Sequence, residues 1–351
     1  MFDKLKQNMG MVIDCQEGLI NHVLQQSRYA MVFKTTNWCW NNCAHCCENS
    51  GSKMPKTFIP EFVITGYIDD ALQDEKFGRE IVFTGGEIMS AYKFAGEDYV
   101  PNILNHALKS GCGVDIKTNA GWVKSPLAKQ VYADIESIFR GRSTGKDGLK
   151  RGIKFQMSLS LDSFHRDALM RDLEFIKHFA NTDIPGVVFE IHVSGIYQDK
   201  NMFPELMHQL VRSGIKVDKL LGIDGNNNII SLSDYYDLNG NVLLNYSMGK
   251  LFNAGRALDM KNALRTPYSQ FSFVDQGGFV LVAFDSFGNV TLGENSGKKI
   301  STPWRNTDGM AKPLNTVRQE LLENTKQAER DFLAQHRVLD GYFNLCRMFV
   351  K

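Results

Sequence analysis

The sequence predicts an α/β fold: a partial (β/α)6 parallel barrel over residues 29–225, preceded by a helical segment over 1–28 and followed by an α+β extension over 226–351. Three observations predict it. Short apolar runs rich in Val, Ile and Phe alternate with longer stretches of helical periodicity, which is the pattern of repeated strand–helix units on a parallel sheet. The alternation repeats six times before the pattern changes. Polar and sulfur-bearing residues fall just after the apolar runs, and in parallel barrels the loops at the C-terminal strand ends build the active site.

Taken in order, Ala30 to Lys34 reads as the first strand, Phe58 to Leu72 as a helix, and Glu80 to Phe83 as a second strand running into Thr84-Gly85-Gly86-Glu87. Asn102 to Ser110 is helical and Gly113 to Lys117 is a third strand. Pro126 to Phe139 is a helix, Ile153 to Leu161 a fourth strand, Phe164 to Ala180 a helix, and Gly186 to Val193 a fifth strand. Pro204 to Ser213 is the next helix and Val217 to Ile223 the sixth strand. Beyond these repeats, Gly277 to Leu292 reads as a hairpin turning at Asp285-Ser286-Phe287-Gly288, and Leu314 to Gln335 as a helix.

Composition narrows the function. A chain of 351 residues with 43% hydrophobic residues can bury a large core. Its 40 basic and 39 acidic residues give a net charge of +1, so no strong field draws it to nucleic acid or anionic lipid. No apolar run approaches the roughly 18 residues of a membrane span, and the polar start Met1-Phe2-Asp3-Lys4 is not a secretory signal. Seven cysteines, four of them between positions 39 and 47, suit ligands in a reducing, cytoplasmic setting better than a disulfide framework.

The most informative residues are Cys39, Cys43 and Cys46, spaced C-x3-C-x2-C in Thr36-Asn37-Trp38-Cys39-Trp40-Asn41-Asn42-Cys43-Ala44-His45-Cys46, directly after the first strand. Three thiolates on one loop can hold three irons of a cubane [4Fe-4S] cluster and leave the fourth iron without a protein ligand. This loop resembles the signature of the radical S-adenosylmethionine (radical SAM) superfamily. The resemblance implies one [4Fe-4S] cluster, S-adenosylmethionine as cofactor, and an external electron donor such as flavodoxin or ferredoxin. His45 stands where that family usually carries an aromatic residue beside the adenine.

Further positions match the same family. Gly85-Gly86-Glu87 looks like the segment that contacts the methionine amino group, with Ile88 replacing the usual proline. Ser158, Ser160 and Asp162 alternate onto one face of the fourth strand, and Ser160 and Asp162 are the candidates for the cofactor ribose; Asp162 is equally a cap for the next helix. Lys117-Thr118-Asn119 resembles a Thr-Asn-Gly segment in which Ala120 replaces the glycine, so Asn119 faces cofactor, water or substrate, or simply makes a turn. His192, between Glu190 and Ser194 on the fifth strand, is a further cofactor-binding candidate.

The hairpin and the following Pro313-Leu314-Asn315-Thr316-Val317 look like the accessory (SPASM/twitch-like) domain of peptide-modifying members. The cysteines for extra clusters are missing there, since Cys346 is the single cysteine beyond residue 112. The resemblance therefore implies hydrogen abstraction from a peptide or protein side chain. The alternatives are a small-molecule or nucleotide substrate for the same chemistry and, in a different class, a non-catalytic zinc or Fe-S module using Cys39, Cys43, Cys46 and Cys47. Adjacent Cys46 and Cys47 fit one tetrahedron poorly. Cys47, Cys112 and Cys346 are candidates for a thiol that returns hydrogen to a substrate radical, against the commoner role of a buried cysteine as a small hydrophobe. Gly141 to Lys146 imitates a phosphate loop but lacks its glycine spacing and the hydroxyl after lysine, and reads as an exposed basic loop.

Overall fold

The computed structural model describes residues 28–143, 155–165, 167–184, 189–220, 235–249, 256, 280–292, 301–308, 310–321 and 323–324. Within them the chain builds one large mixed sheet with helices packed against it. The strands are β1 (Tyr29–Thr36), β2 (Phe77–Gly85), β3 (Gly113–Thr118), β4 (Phe155–Leu161), β5 (Phe189–Ile196), β6 (Val217–Leu220), β7 (Tyr235–Leu238), β8 (Val242–Gly249), β9 (Val280–Asp285), β10 (Asn289–Leu292) and β11 (Ser301–Pro303). The helices are α1 (Glu61–Leu72), the short α2 (Ala91–Phe94), α3 (Tyr99–Lys109), α4 (Ala128–Ser143), α5 (Ala168–Ala180) and α6 (Met202–Arg212).

The sheet is 11-stranded in the order β11-β10-β9-β1-β2-β3-β4-β5-β8-β7-β6. From β9 through β1–β5 to β8 every pairing is parallel. Strands on either side of residue 225 therefore join a single sheet. Within the described residues the first five expected strands and the helices between them lie where the periodicity puts them, because parallel strands need helical crossovers to return the chain to the same edge; positions 153–154 and 186–188 of the expected strands lie outside the described residues.

The sixth strand is different. Val217–Leu220 forms β6, which pairs antiparallel with β7 at the edge of the sheet, and β8 takes the parallel place beside β5. The physical reason is composition. Val217-Asp218-Lys219-Leu220 puts two charges into four residues, which suits an edge, whereas β8 buries Val242 and Leu244 fully. Residues 221–223 of the expected strand lie outside the described residues.

The core is built on β1, where Met31, Val32 and Phe33 are fully buried. Phe33 stacks between Phe83 of β2 and Phe284 of β9 at centroid distances of 5.8 and 5.2 Å. The expected hairpin forms as β9 and β10, and Asp285 Oδ1 accepts from the backbone N–H of Phe287 and Asn289 across the turn. Residues 314–321 are helical as expected; positions 325–335 lie outside the described residues. This C-terminal part docks on α1. Tyr67 Oη donates to Trp304 O at 3.0 Å, Arg318 pairs with Asp74, and the Leu314 N–H donates to Asp70. No helix among the described residues is long and apolar enough to cross a membrane.

Candidate functional site

The cysteine loop leaves the C-terminal end of β1 and crosses the ends of β2 and β3. The crossing depends on two glycines. Gly85 has φ +113, and a Cβ on Gly86 would lie 2.0 Å from the Trp38 carbonyl oxygen, so no side chain fits there. In the space this leaves, the Gly86 N–H donates to Thr36 O at 2.6 Å and the Glu87 N–H to Trp38 O at 2.9 Å. The absence of side chains at Gly85 and Gly86 thus lets the cysteine loop's backbone pass directly over the end of β2.

Glu87 is fully buried and ties β2 to β3. Its carboxylate accepts from Thr118 Oγ1 at 2.8 Å, from the Asn119 N–H at 3.0 Å and from the Met89 N–H at 3.2 Å. Burial raises its pKa to about 7 against the lowering effect of these donors and of the nearby Arg171 charge. Asn119, placed by this network, donates from Nδ2 to Cys39 Sγ at 3.2 Å. Ala120 adopts φ 52, the left-handed conformation that the glycine of the look-alike segment would take freely.

Cys39 and Cys43 are buried, Cys46 and Cys47 partly so, and none of the four is in a disulfide. The Asn41 N–H adds a second donor to Cys39 Sγ at 3.4 Å. Burial pushes the Cys39 thiol up to about 12, and the neighbouring Glu87, Cys43 and Cys46 push the same way. Burial likewise takes Cys43 to about 11. The Cys39 sulfur is close enough to Cys43 and Cys46 to feel their charge.

The loop reaches the end of β4 through His45. Its Nε2 lies 3.5 Å from Asp162 Oδ2, and its ring is 4.7 Å from Phe164 and 5.1 Å, edge-on, from His165. Asp162 is buried. Oδ1 accepts the N–H of Phe164 and His165, while Oδ2 is 2.8 Å from His165 Nδ1; Asp162 thus closes the turn after β4 and does not cap the next helix as expected, because α5 begins only at Ala168 with Asp167 at its N-cap. Burial would raise its pKa, but the hydrogen bonds from His165 and His45 outweigh it and hold the carboxyl well below the usual carboxylate range. His45, Asp162 and His165 bring their ligand atoms within 4.8 Å of one another, a set that could hold an ion. The bonds Asp162 already makes satisfy it without one.

The other anticipated residues divide. Ser160 shares the face of Asp162 on β4 and pairs in register with Ser194, while Ser158 donates to Asp115 at 2.7 Å. His192 lies one strand further on, bonded to Asn245 and 2.9 Å from Ser247 Oγ. Cys47 is on the loop itself. Cys112 is fully buried at the N-terminal end of β3, the opposite end from the cysteine loop, and is not brought to the site. Cys346 lies outside the described residues.

Sequence reading missed three residues. Phe164 and His165 stand two and three positions after Asp162, and their aromatic character near a strand-end carboxylate was the available signal. Arg171 gave a fainter one. It stands on the apolar face of α5, is 5% exposed, and has Nε and one Nη without a hydrogen-bond partner among the described residues; its neighbour Asp172, 0% exposed, has neither oxygen paired. Burial of Asp172 raises its carboxyl well above the ordinary value.

No protein-family model matches the sequence, and no curated protein sequence does. Among solved structures the fold is similar to Streptococcus suis SuiB bound to S-adenosylmethionine, at 13% identity over 76% of this chain and 60% of that one, with a TM-score of 0.43. SuiB without a named ligand gives 14% identity over the same shares with a TM-score of 0.42, and SuiB bound to precursor peptide SuiA gives 11%, 75%, 59% and 0.35. The chain thus spans about 60% of the length of the SuiB chain it is compared with.

Proposed function

We propose that this chain is a radical SAM enzyme that carries one [4Fe-4S] cluster and acts on a peptide or protein side chain. A single observation carries the reading. The C-x3-C-x2-C loop converges with the ends of β2, β3 and β4, through Gly86 N–H to Thr36 O, Asn119 to Cys39, and His45 to Asp162.

Cys39, Cys43 and Cys46 would hold the cluster. Their donor chemistry fits it: three soft sulfurs at separate positions, one already receiving two N–H donors. When bound, the cluster and S-adenosylmethionine together supply one-electron cleavage of a carbon–sulfur bond and a 5′-deoxyadenosyl radical able to take hydrogen from an unactivated carbon.

The chain's own residues position and shield. His45 and Phe164 offer ring faces for the adenine, and Asp162, held by His165, offers a carboxylate to the ribose together with Ser160. Gly85 and Gly86 present backbone to the methionine amine, with Glu87 beneath them fixing β2 to β3. Arg171 is a buried cation whose Nε and one Nη have no hydrogen-bond partner among the described residues, and the methionine carboxylate is the acceptor this reading supplies. Asn119 acts through Cys39. His192 lines the polar face of β5, towards substrate. The sheet's curvature into a partial barrel, with the C-terminal region as an accessory unit, is part of the same reading.

The peptide substrate is favoured over a small molecule by the likeness of the β9–β10 hairpin and Pro313-Leu314-Asn315-Thr316-Val317 to accessory domains. Cys47 remains the thiol near the loop that can return hydrogen to a substrate radical. Solvent deuterium in the product that disappears in Cys47→Ala supports that role, and label unchanged by the substitution removes it. The function as a whole is tested by anaerobic loading with iron and sulfide, followed by assay for 5′-deoxyadenosine.

A further inference from the structure

Arg256 reaches the cysteine loop from 213 positions beyond Cys43 and makes three hydrogen bonds to it. Its backbone N–H donates to Cys46 O at 3.0 Å, its Nε to Cys43 O at 2.9 Å, and its Nη2 to Ser50 O at 2.6 Å. Three carbonyls on one stretch of irregular backbone accept from a single planar guanidinium and its own amide, and one of them, Cys43 O, also accepts the Cys46 N–H at 3.2 Å. Elsewhere the loop is held from within and from β1, by Cys39 N–H to Gly51 O, Gly51 N–H to Asn37 O and Lys34 to Glu48, and by the contacts with the ends of β2, β3 and β4 described above.

We propose that Arg256 is a positioning residue for the cysteine loop. It fixes the segment from Cys43 to Ser50 and places a permanent positive charge beside any cluster that Cys43 and Cys46 carry. The first part follows from geometry, because Cys43 and Cys46 are the two ligands whose carbonyls it holds. The second follows from charge. A cation next to three thiolates and their irons stabilises the form carrying the additional electron, and burial weakens solvent screening of that attraction. On this view residues beyond 225 contribute to the site although they bring no cysteine ligand to it. The proposal rests on the cluster reading above, and its test separates the two.

Wild type, Arg256→Gln and Arg256→Lys are loaded anaerobically with iron and sulfide. Three quantities are read: iron per chain, the rate of iron loss to a ferrous chelator, and the midpoint potential from a redox titration followed by electron paramagnetic resonance. Arg256→Gln should lose iron roughly tenfold faster or more, with a midpoint shifted to more negative potential. Arg256→Lys should return the midpoint towards wild type without restoring retention, because one ammonium cannot span the Cys43 and Ser50 carbonyls with the guanidinium's geometry. Retention and midpoint equal to wild type in both variants overturn the proposal.

If wild type takes up no iron, the cluster reading fails and the latch is read on the apoprotein by amide hydrogen exchange over residues 43–51. Faster exchange in Arg256→Gln sustains the latch, and unchanged exchange overturns it. Should Arg256→Gln fail to fold, Arg256→Lys alone decides: retention equal to wild type would contradict a guanidinium latch.

Discussion

Asn119 Nδ2 donates to Cys39 Sγ across 3.2 Å, binding the end of β3 to the first cysteine of the loop that follows β1. The amide is oriented by its own turn, since Asn119 Oδ1 accepts the Gly121 N–H at 2.8 Å. A donor aimed at a ligand sulfur stabilises added negative charge on the cluster. Asn119→Ala should therefore shift the midpoint potential negative, on the order of tens of millivolts, with iron content unchanged. A redox titration of the loaded protein measures it, and an unmoved midpoint would show that the bond has no electronic role.

Gly86 carries the crossing of the loop over β2. A methyl group there would meet the Trp38 carbonyl at 2.0 Å and the Asn37 carbonyl carbon at 3.0 Å, contacts that only backbone movement relieves. Gly86→Ala should destabilise the apoprotein by ~1–3 kcal/mol and reduce iron uptake. Urea unfolding and iron analysis check both. Wild-type values in both would mean that the loop does not cross there.

Glu87 predicts a pH dependence of stability. Its pKa is raised from 4.5 to about 7, so the folded protein binds this proton more tightly than the unfolded chain. The contribution is fully present below pH 4.5 and is lost as pH rises through 7. Between pH 5 and pH 8 it should cost ~2 kcal/mol, and this part should be missing in Glu87→Gln. Asp172, raised in the same direction, remains in the variant, so the difference between the two proteins isolates Glu87. Parallel stability curves for wild type and variant would contradict the assignment.

Arg171 predicts a binding effect. Because its guanidinium is buried with two nitrogens unpaired among the described residues, an anionic ligand group gains most of its affinity there. Arg171→Ala should weaken S-adenosylmethionine binding to the loaded protein by roughly tenfold or more. Equilibrium dialysis reads the loss, and an unchanged affinity would remove Arg171 from the cofactor site.

How much of this was legible in the sequence follows from the range of the interactions involved. The first five strands, their helices and the cysteine loop were legible because periodicity and spacing are local properties. Val217 to Ile223 was misplaced because β6 and β8 both carry apolar residues, and their ranking is decided by burial, which is complete at Val242 and Leu244 of β8. Glu87 stood out in the sequence beside two glycines at a strand end, whereas its binding to Thr118 and Asn119 was not legible, since that contact exists only once β2 and β3 are neighbours. Phe164, His165 and Arg171 were passed over because an aromatic pair after a strand and an arginine in a helix are ordinary surface features until burial is known. Arg256 had no local signal at all, its partners being 213 and 206 positions away.

The central claim, that Cys39, Cys43 and Cys46 carry a cluster which cleaves S-adenosylmethionine, is tested most directly by one assay. Protein reconstituted anaerobically with iron and sulfide, then given reductant and S-adenosylmethionine, should hold about four irons per chain and release 5′-deoxyadenosine, with Cys39→Ala, Cys43→Ala and Cys46→Ala each inactive. A protein that binds zinc and no iron, or that holds an intact cluster and releases no 5′-deoxyadenosine, would contradict it.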